Sequence, residues 1–354
     1  MNDMLILAAP VVVVALWCLL LLFVMLRKWK MSLVLLIISS AFNWYTEQIP
    51  VIVFHRMKTV LTDKEKRFPA VKKKGVIRVL NYNICGKEEF APRHGQKFID
   101  YVLGLDADIL FLPENNFDTA PRLDSILKAR YPYYMQQFEY GSQWVGEHTL
   151  YSRYPLSKPR FYKIDLPKLI REKPELDSLY LYRIGDKPFF YEAEADINGT
   201  PVTLLHIHMR SNSYDMAKAD GSGRREKMLN VYENLLFGYT YRDFEAKMLR
   251  DTLRDCPNPL LICGDFNDLS GSNAMRILQR CREENIHKDH RERLKNAWWE
   301  KGFGLGFTFA DQHLRLRLDH ILYSREFKLL DVTIPKVSYS DHRPMIADFE
   351  FNPD

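Results

Sequence analysis

Hydrophobic and polar positions divide this chain into two unlike parts. From Met4 to Leu26 apolar residues follow one another without a charge, long enough for a helix to cross a bilayer. Arg27-Lys28-Trp29-Lys30 interrupts, and a second apolar run goes from Met31 to Trp44. After Tyr45-Thr46-Glu47-Gln48 it resumes as Ile49-Pro50-Val51-Ile52-Val53-Phe54. The first run is too long for the core of a signal peptide and has no basic stretch ahead of it, which argues against a cleaved leader. The pattern predicts a membrane hairpin over residues 1–54, with spans of about 4–26 and 31–54. Bases directly after the first span place the short loop in the cytoplasm and return the chain outward. Residues 55–75 are also basic and compete in that count, but long domains translocate largely regardless of charge. The expectation is a domain outside the cytoplasm, on a solvated tether of residues 55–75.

From residue 76 the pattern changes to short apolar runs of strand length separated by helical periods. Val76 to Ile84 reads as a strand, with Asn81 and Asn83 on one face because side chains two apart share a side. Residues 95–105 fit a short amphipathic helix, and Asp108 to Glu114 a second buried strand closed by a proline and a carboxylate. Residues 147–155 read as a strand running into a turn. Residues 188–197 and 201–209 read as a hairpin around Asn198-Gly199. On its second arm Val202, Leu204, His206 and His208 share a face. A helix over 224–253 precedes the strand Leu260 to Asp265, with another helix near 272–283. A loop rich in glycine and aromatics follows (Trp298, Trp299, Phe303, Phe307), then a strand at 317–323 and a last one from Met345 to Phe351. Strands alternate with a few helices, and there is no internal repeat.

Composition narrows the class. With 354 residues, 47% of them hydrophobic, the chain can bury a large core. The net charge of +5 is too mild to announce a nucleic-acid binder. Residues 1–54 contribute +1 of it, and the tether holds 8 bases against 2 acids, so residues 76–354 are left at −2. The 5 cysteines form no CxxC pair and no Cys/His spacing for zinc.

Chemistry concentrates in Leu260-Leu261-Ile262-Cys263-Gly264-Asp265-Phe266-Asn267-Asp268. An apolar run ends in a glycine and a cluster of carboxylate and amide side chains. Asp265 and Asn267 point together and Phe266 goes the other way, into a core. Gly264 lets another backbone or a ligand come close. Polar groups at the end of a buried strand are costly unless paired, and a phosphate with its metal would pair with them. The plainer alternative is a strand ending in a polar turn. Asn83, Glu114, His208, Asp265, Asn267, Asp319, Asp341 and His342 all lie in, end or follow such runs.

The order and wording of these segments resemble the endonuclease/exonuclease/phosphatase superfamily. The matching stretches are NYNI (81–84), LPEN (112–115), HIHM (206–209), GDFND (264–268), RLDHIL (317–322) and SDHRP (340–344), and they run through nearly all of residues 76–351. With two apolar spans ahead of them, they look like a bacterial membrane-tethered branch. The resemblance implies a four-layered α/β sandwich, two packed mixed sheets flanked by helices, with a site at one rim. It also implies roles by position. Glu114 would be the principal ligand of Mg²⁺, for which Mn²⁺ could substitute, with Asn83 helping to hold metal or phosphate and Asp341 serving a second metal site or steadying the first. Asp265 would orient or deprotonate the attacking water, and Asn267 would donate to a phosphate oxygen. His342 would contact the scissile phosphate, oriented by Asp319. His208 matches a second histidine of the nuclease and sphingomyelinase branches.

Each residue also has a duller alternative. Asn83 could be a strand-end cap, His206 reads as structural, and His320, facing opposite to Asp319, reads as core. Cys85 has no partner signature for a nucleophile. The implied reaction is hydrolysis of a phosphodiester or phosphomonoester by in-line attack of water, in a monomeric catalytic domain. Its substrate is an anionic phosphoester: a lipid head group, an inositol phosphate or a similar small ester. The alternative is a metal-dependent nuclease acting on DNA or RNA. The expected location is the bacterial inner membrane, held through residues 4–54.

Overall fold

The structure is a computed structural model, which describes residues 2–46, 71–85, 95–115, 121–136, 148–174, 188–211, 224–283, 293–310 and 315–353. The first apolar run forms helix α1 (Asn2–Met25) and the second forms α2 (Trp29–Thr46). Among the described residues no helix is long and apolar enough to cross a membrane. The predicted transmembrane hairpin therefore has no support from the fold. The side chains of residues 1–11, 13, 14 and 41–46 lie outside the description, as do residues 47–54 of the second expected span and 55–70 of the tether.

The remaining chain builds two six-stranded mixed sheets. The first contains β1 (Ile77–Asn81), β2 (Ile109–Pro113), β3 (Tyr133–Gln136), β4 (His148–Ser152), β13 (Phe327–Thr333) and β14 (Met345–Phe351), in the order β13-β14-β1-β2-β4-β3. The second contains β5 (Leu156–Lys163), β6 (Pro188–Ile197), β7 (Thr200–His208), β8 (Leu260–Asp265), β9 (Lys295–Asn296) and β12 (Asp319–Tyr323), in the order β5-β6-β7-β8-β12-β9. A short ribbon of β10 (Phe309–Ala310) and β11 (Arg315–Leu316) lies between β9 and β12 in the chain. The β6–β7 hairpin turns at Asn198 (φ 56°) and Gly199 (φ 86°), the two consecutive left-handed residues that a two-residue turn of matching twist requires.

Alternation along each strand produces the layers. Ile77, Val79, Ile109 and Phe111 of the first sheet meet Ala193, Val202, Leu204, Leu261, Cys263 and Ile321 of the second in one buried cluster. The intervening residues face helices. Leu80, Leu110 and Leu112 pack on α3 (Gln96–Gly104) and α4 (Pro121–Arg130) through Phe98, Val102, Leu123 and Leu127. Leu205, Ile207, Leu260 and Ile262 pack on α6 (Arg224–Leu253) and α7 (Asn273–Gln279), and near α5 (Leu166–Glu172), through Phe244, Leu249, Met275 and Leu169. A short α8 (Ala297–Lys301) falls in the stretch expected to be loop. Helix, sheet, sheet, helix is the predicted four-layered sandwich. Truncating a core residue such as Phe111 to alanine in so close a packing costs about 3–5 kcal/mol.

Strand direction gives the sandwich two distinct poles. β1, β2 and β8 run parallel to one another or to their neighbours, so Asn81, Pro113 and Asp265 end at the same rim. At the opposite pole Lys72 and Arg153 converge on Asp108 (2.6 and 3.0 Å), and Arg153 also reaches Asp106. Buried Arg78 grips Asp348 there with two bonds of 2.7 and 2.8 Å. The last residues before β1 are thus fastened to the pole away from the polar rim.

Candidate active site

At the polar rim the inward-facing positions of four strands run out of apolar residues. Asn81, His208, Asp265 and Asp319 continue the sides occupied by Val79, Leu204, Cys263 and Ile321, so parity aims them between the sheets. Gly264 lets this happen. Its φ is +150°, and a Cβ built on it would lie 1.8 Å from the Ile207 carbonyl oxygen of the neighbouring parallel strand. Asn81 then crosses between the sheets to donate to the Gly264 carbonyl oxygen (3.0 Å).

Glu114 reaches the site against parity. Strict alternation groups it with Leu110 and Leu112 on the helix-covered face, but its backbone is left-handed (φ 54°) and its carboxylate turns to the rim. A non-glycine residue pays about 1–2 kcal/mol for that conformation. The next residue secures it: buried Asn115 donates to Thr149 Oγ1 (3.2 Å) on β4.

The two carboxylates share one amide. Asn83 Nδ2 donates to Glu114 Oε1 (2.9 Å) and Asp265 Oδ2 (3.1 Å), while its Oδ1 accepts the Cys85 N–H (3.0 Å). As it stands, Asn83 therefore binds the two carboxylates rather than offering an oxygen of its own. His208 Nε2 lies 3.7 Å from Glu114 Oε1 and 4.0 Å from Asp265 Oδ2. Glu114, His208 and Asp265 each place a ligand atom within 4.8 Å of the others. Two carboxylates converging at a partly open rim form a donor set that fits a hard divalent cation, with room for waters.

Asp265, Asp319 and His342 also converge, but that group is already satisfied internally. His342 Nδ1 lies 2.6 Å from Asp319 Oδ2, and Nε2 lies 3.6 Å from Asp265 Oδ2. Burial opposes the imidazolium, yet Asp319 and Asp265 outweigh it and push His342 up to about 10. Both carboxylates thus favour the imidazolium form of His342.

Asn267, left-handed at φ 49°, donates its N–H to Asp265 Oδ1 (2.8 Å) and an amide hydrogen to the Met209 carbonyl oxygen (2.9 Å). Phe266 points into the helix-side core, as alternation predicts. Asp341 stands apart from both clusters among the described residues. Its Oδ1 lies 3.1 Å from Ser340 Oγ, and its charge adds to the field on His342. His206 is buried between Phe111, Tyr191 and His148, and His320 between Asn296 and the Asp268 carbonyl oxygen; both are core groups.

Two supporting roles were not assigned from the sequence, although Ser340 opens the SDHRP stretch. Ser340 ties the Asn83 carbonyl oxygen (2.8 Å) to the His342 N–H (3.1 Å). Thr308, fully buried, accepts the N–H groups of Leu318 and Asp319 (both 3.0 Å). Neither lies in an apolar run, so periodicity carries no signal for them. The expected aromatic loop does border the site: Phe309 lies edge-on to His342, with centroids 5.1 Å apart. Gly302 and Gly306 fold closely over Trp298, and Phe303 and Leu305 are left exposed.

The family model described as "Endonuclease/Exonuclease/phosphatase family" matches residues 80–342. No curated protein matches the sequence. Among solved structures, an endonuclease/exonuclease/phosphatase family protein from Bacteroides thetaiotaomicron is 13% identical with a TM-score of 0.52, over 80% of this chain and 100% of that one. One from Bacteroides vulgatus is 14% identical with a TM-score of 0.51, over 79% and 100%. Humanized D. rerio TDP2 is 12% identical with a TM-score of 0.51, over 78% and 99%. At such identities the likeness is one of fold.

Proposed function

Because the chain belongs to the endonuclease/exonuclease/phosphatase family, we propose that it hydrolyses a small or lipid-borne phosphoester by in-line attack of water, with Mg²⁺ or Mn²⁺ bound at Glu114. Membership makes it a metal-dependent phosphoesterase or nuclease; the substrate and the residue roles are our reading. The observation that carries it is the position of Asp265, whose Oδ2 lies 3.1 Å from Asn83 Nδ2, 3.6 Å from His342 Nε2 and 4.0 Å from His208 Nε2. A carboxylate so placed can hold a water, take its proton and aim it at phosphorus. Asn267 has a second amide hydrogen for a phosphate oxygen on which charge grows, and the His342 imidazolium donates to another. Glu114 would hold the cation, with His208 beside it, and Asp265 is left to the water. When bound, the cation supplies Lewis-acid neutralisation of the phosphoryl oxygens.

A small or lipid-borne substrate is favoured over duplex DNA by charge and by the rim. A nuclease gains affinity by neutralising many phosphates with a row of bases, and the catalytic domain has a net charge of −2. Exposed Phe303 and Leu305, in the loop that leads to Phe309 at His342, suit a membrane interface or the apolar part of a substrate. Attachment to the bacterial inner membrane by residues 4–54, with the domain outside the cytoplasm, belongs to the same reading. Its support lies in the sequence, in the uncharged apolar run from Met4 to Leu26 and the second run from Met31 to Trp44. A reporter fused after Asp354 that is active only in the cytoplasm would refute that topology.

The deciding experiment compares catalytic efficiency on phospholipid vesicles, inositol phosphates and nicked plasmid at matched Mg²⁺ and salt. The expected order puts one of the first two ahead. A DNA preference above about tenfold, roughly 1.4 kcal/mol, would establish the nuclease reading instead.

A further inference from the structure

We propose that Arg242 and Glu245, one turn apart on α6, are positioning residues that lock the two chain segments leaving β7 and β8, and with them Asn267. The proposal rests on the active-site reading above. Both side chains are buried. Arg242 Nε donates to Asp268 Oδ2 (3.1 Å), and its Nη1 donates to the Arg210 carbonyl oxygen (2.8 Å). Glu245 Oε2 accepts the Arg210 N–H (3.1 Å). Both backbone groups of Arg210 are therefore held from α6, two residues beyond His208.

The clamp closes through the residues between. The Met209 N–H donates to the Asp265 carbonyl oxygen (2.9 Å), and the Met209 carbonyl oxygen accepts the Asn267 amide (2.9 Å). Asp268, gripped by Arg242, directly follows Asn267. One guanidinium and one carboxyl group thus fix both ends of a short bridge whose middle is the Asn267 side chain. Asn267 holds a left-handed backbone, its N–H accepted by Asp265 Oδ1 on one side and the clamp securing Asp268 on the other. A buried ion pair is a poor way to gain stability, since apolar residues of similar volume often do as well or better. Its use here is geometric. α6 is seated on the second sheet by Phe244, Leu249 and Leu253, and the clamp converts that seating into the placement of Asn267 at the rim.

The test removes both charges of the Arg242–Asp268 pair together, Arg242→Met with Asp268→Leu, so that neither partner is left buried without the other. In the full chain, hydrogen exchange at the amides of 209–210 and 267–268 should speed up tenfold or more, while that of Leu260–Asp265 stays as it was. With Mg²⁺ and a chromogenic phosphodiester, kcat should fall about tenfold or more with KM within threefold. In an Asn267→Ala background the same pair should cost less than threefold, because its effect passes through Asn267. Unchanged exchange, or full additivity with Asn267→Ala, overturns the proposal. An Asn267→Ala variant as active as the wild type overturns the site reading instead. Should the double variant not fold, Glu245→Leu, which removes only the acceptor for Arg210, carries the same measurements, with Glu245→Gln expected to restore them.

Discussion

Replacing Thr308 by valine is the sharpest probe of how the His342–Asp319 pair is held. The side chain is fully buried, and its oxygen is the acceptor for two backbone N–H groups, Leu318 and Asp319, at 3.0 Å each. Its own carbonyl oxygen accepts the Arg343 N–H at 2.7 Å, so Thr308 joins the segments before β12 and after His342. Valine keeps the volume and branching but offers no acceptor. A buried donor left without a partner costs about 1–3 kcal/mol, so Thr308→Val should cost about 2–4 kcal/mol once some relaxation is allowed. Thr308→Ser keeps the oxygen and loses one methyl, a loss of about 1 kcal/mol. The assay is urea unfolding of both variants, read from midpoints at an unchanged slope. Turnover should follow: with Asp319 less firmly seated, kcat should fall about tenfold or more in the valine variant and little in the serine one. A valine variant within 0.5 kcal/mol of the serine one, or equal in kcat, would show that Thr308 is filler and not an anchor.

Chelator should abolish activity and added Mg²⁺ or Mn²⁺ restore it, checked by turnover with and without EDTA; Glu114→Gln should raise the metal concentration needed. Asp265→Asn and His342→Ala should each lower kcat on the order of 10² or more, while Cys85→Ser costs little; a Cys85 variant as inactive as the Asp265 one would overturn the mechanism. Gly264→Ala should fail to fold or melt far lower in a thermal scan, because its Cβ would sit 1.8 Å from a backbone oxygen. Acid should destabilise the fold through two histidines: burial pushes His320 down to about 3 and His206 well below its usual range. Below about pH 6.5 the unfolded chain binds protons that the fold refuses, so the share of these two is complete above that pH and falls by about 1.4 kcal/mol per unit per histidine beneath it, while His342, raised to about 10, adds stability that is lost as pH rises toward that value. His320→Gln should remove about one proton from that slope, measured by urea midpoints between pH 6.5 and 5.

How much of this could be read beforehand depended on whether parity survived. Asn81, Asp265, His208 and Asp319 follow unbroken alternation, and their common orientation is legible in the residues alone. Glu114 breaks it, and only the resemblance to a known family placed it in the site. The carboxylates' hold on Asn83 was equally hidden, because an amide's two ends look alike in a sequence. β13 went unread because its register shifts between Leu329 and Asp331, which scrambles the period. β5 went unread because nearly all of its residues are exposed and it has no buried face to alternate with. Thr308 and Ser340 act through single oxygens in loops, where composition says nothing about what an oxygen will meet.

The fastening of Lys72 at the pole away from the site bears on reach. β1 spans five residues, so the two poles are at least about 17 Å apart at 3.3 Å per residue. Residues 55–70, 16 in number, can span at most about 55 Å. Were the N-terminal helices to sit in a bilayer, a domain hanging straight from them would turn its catalytic mouth outward, to whatever diffuses past. Reaching a lipid head group would require the body to roll over by about half a turn, and a leash longer than the ten-residue β6 leaves room for that. Shortening residues 55–70 would then starve the enzyme of lipid long before it affected a freely diffusing ester.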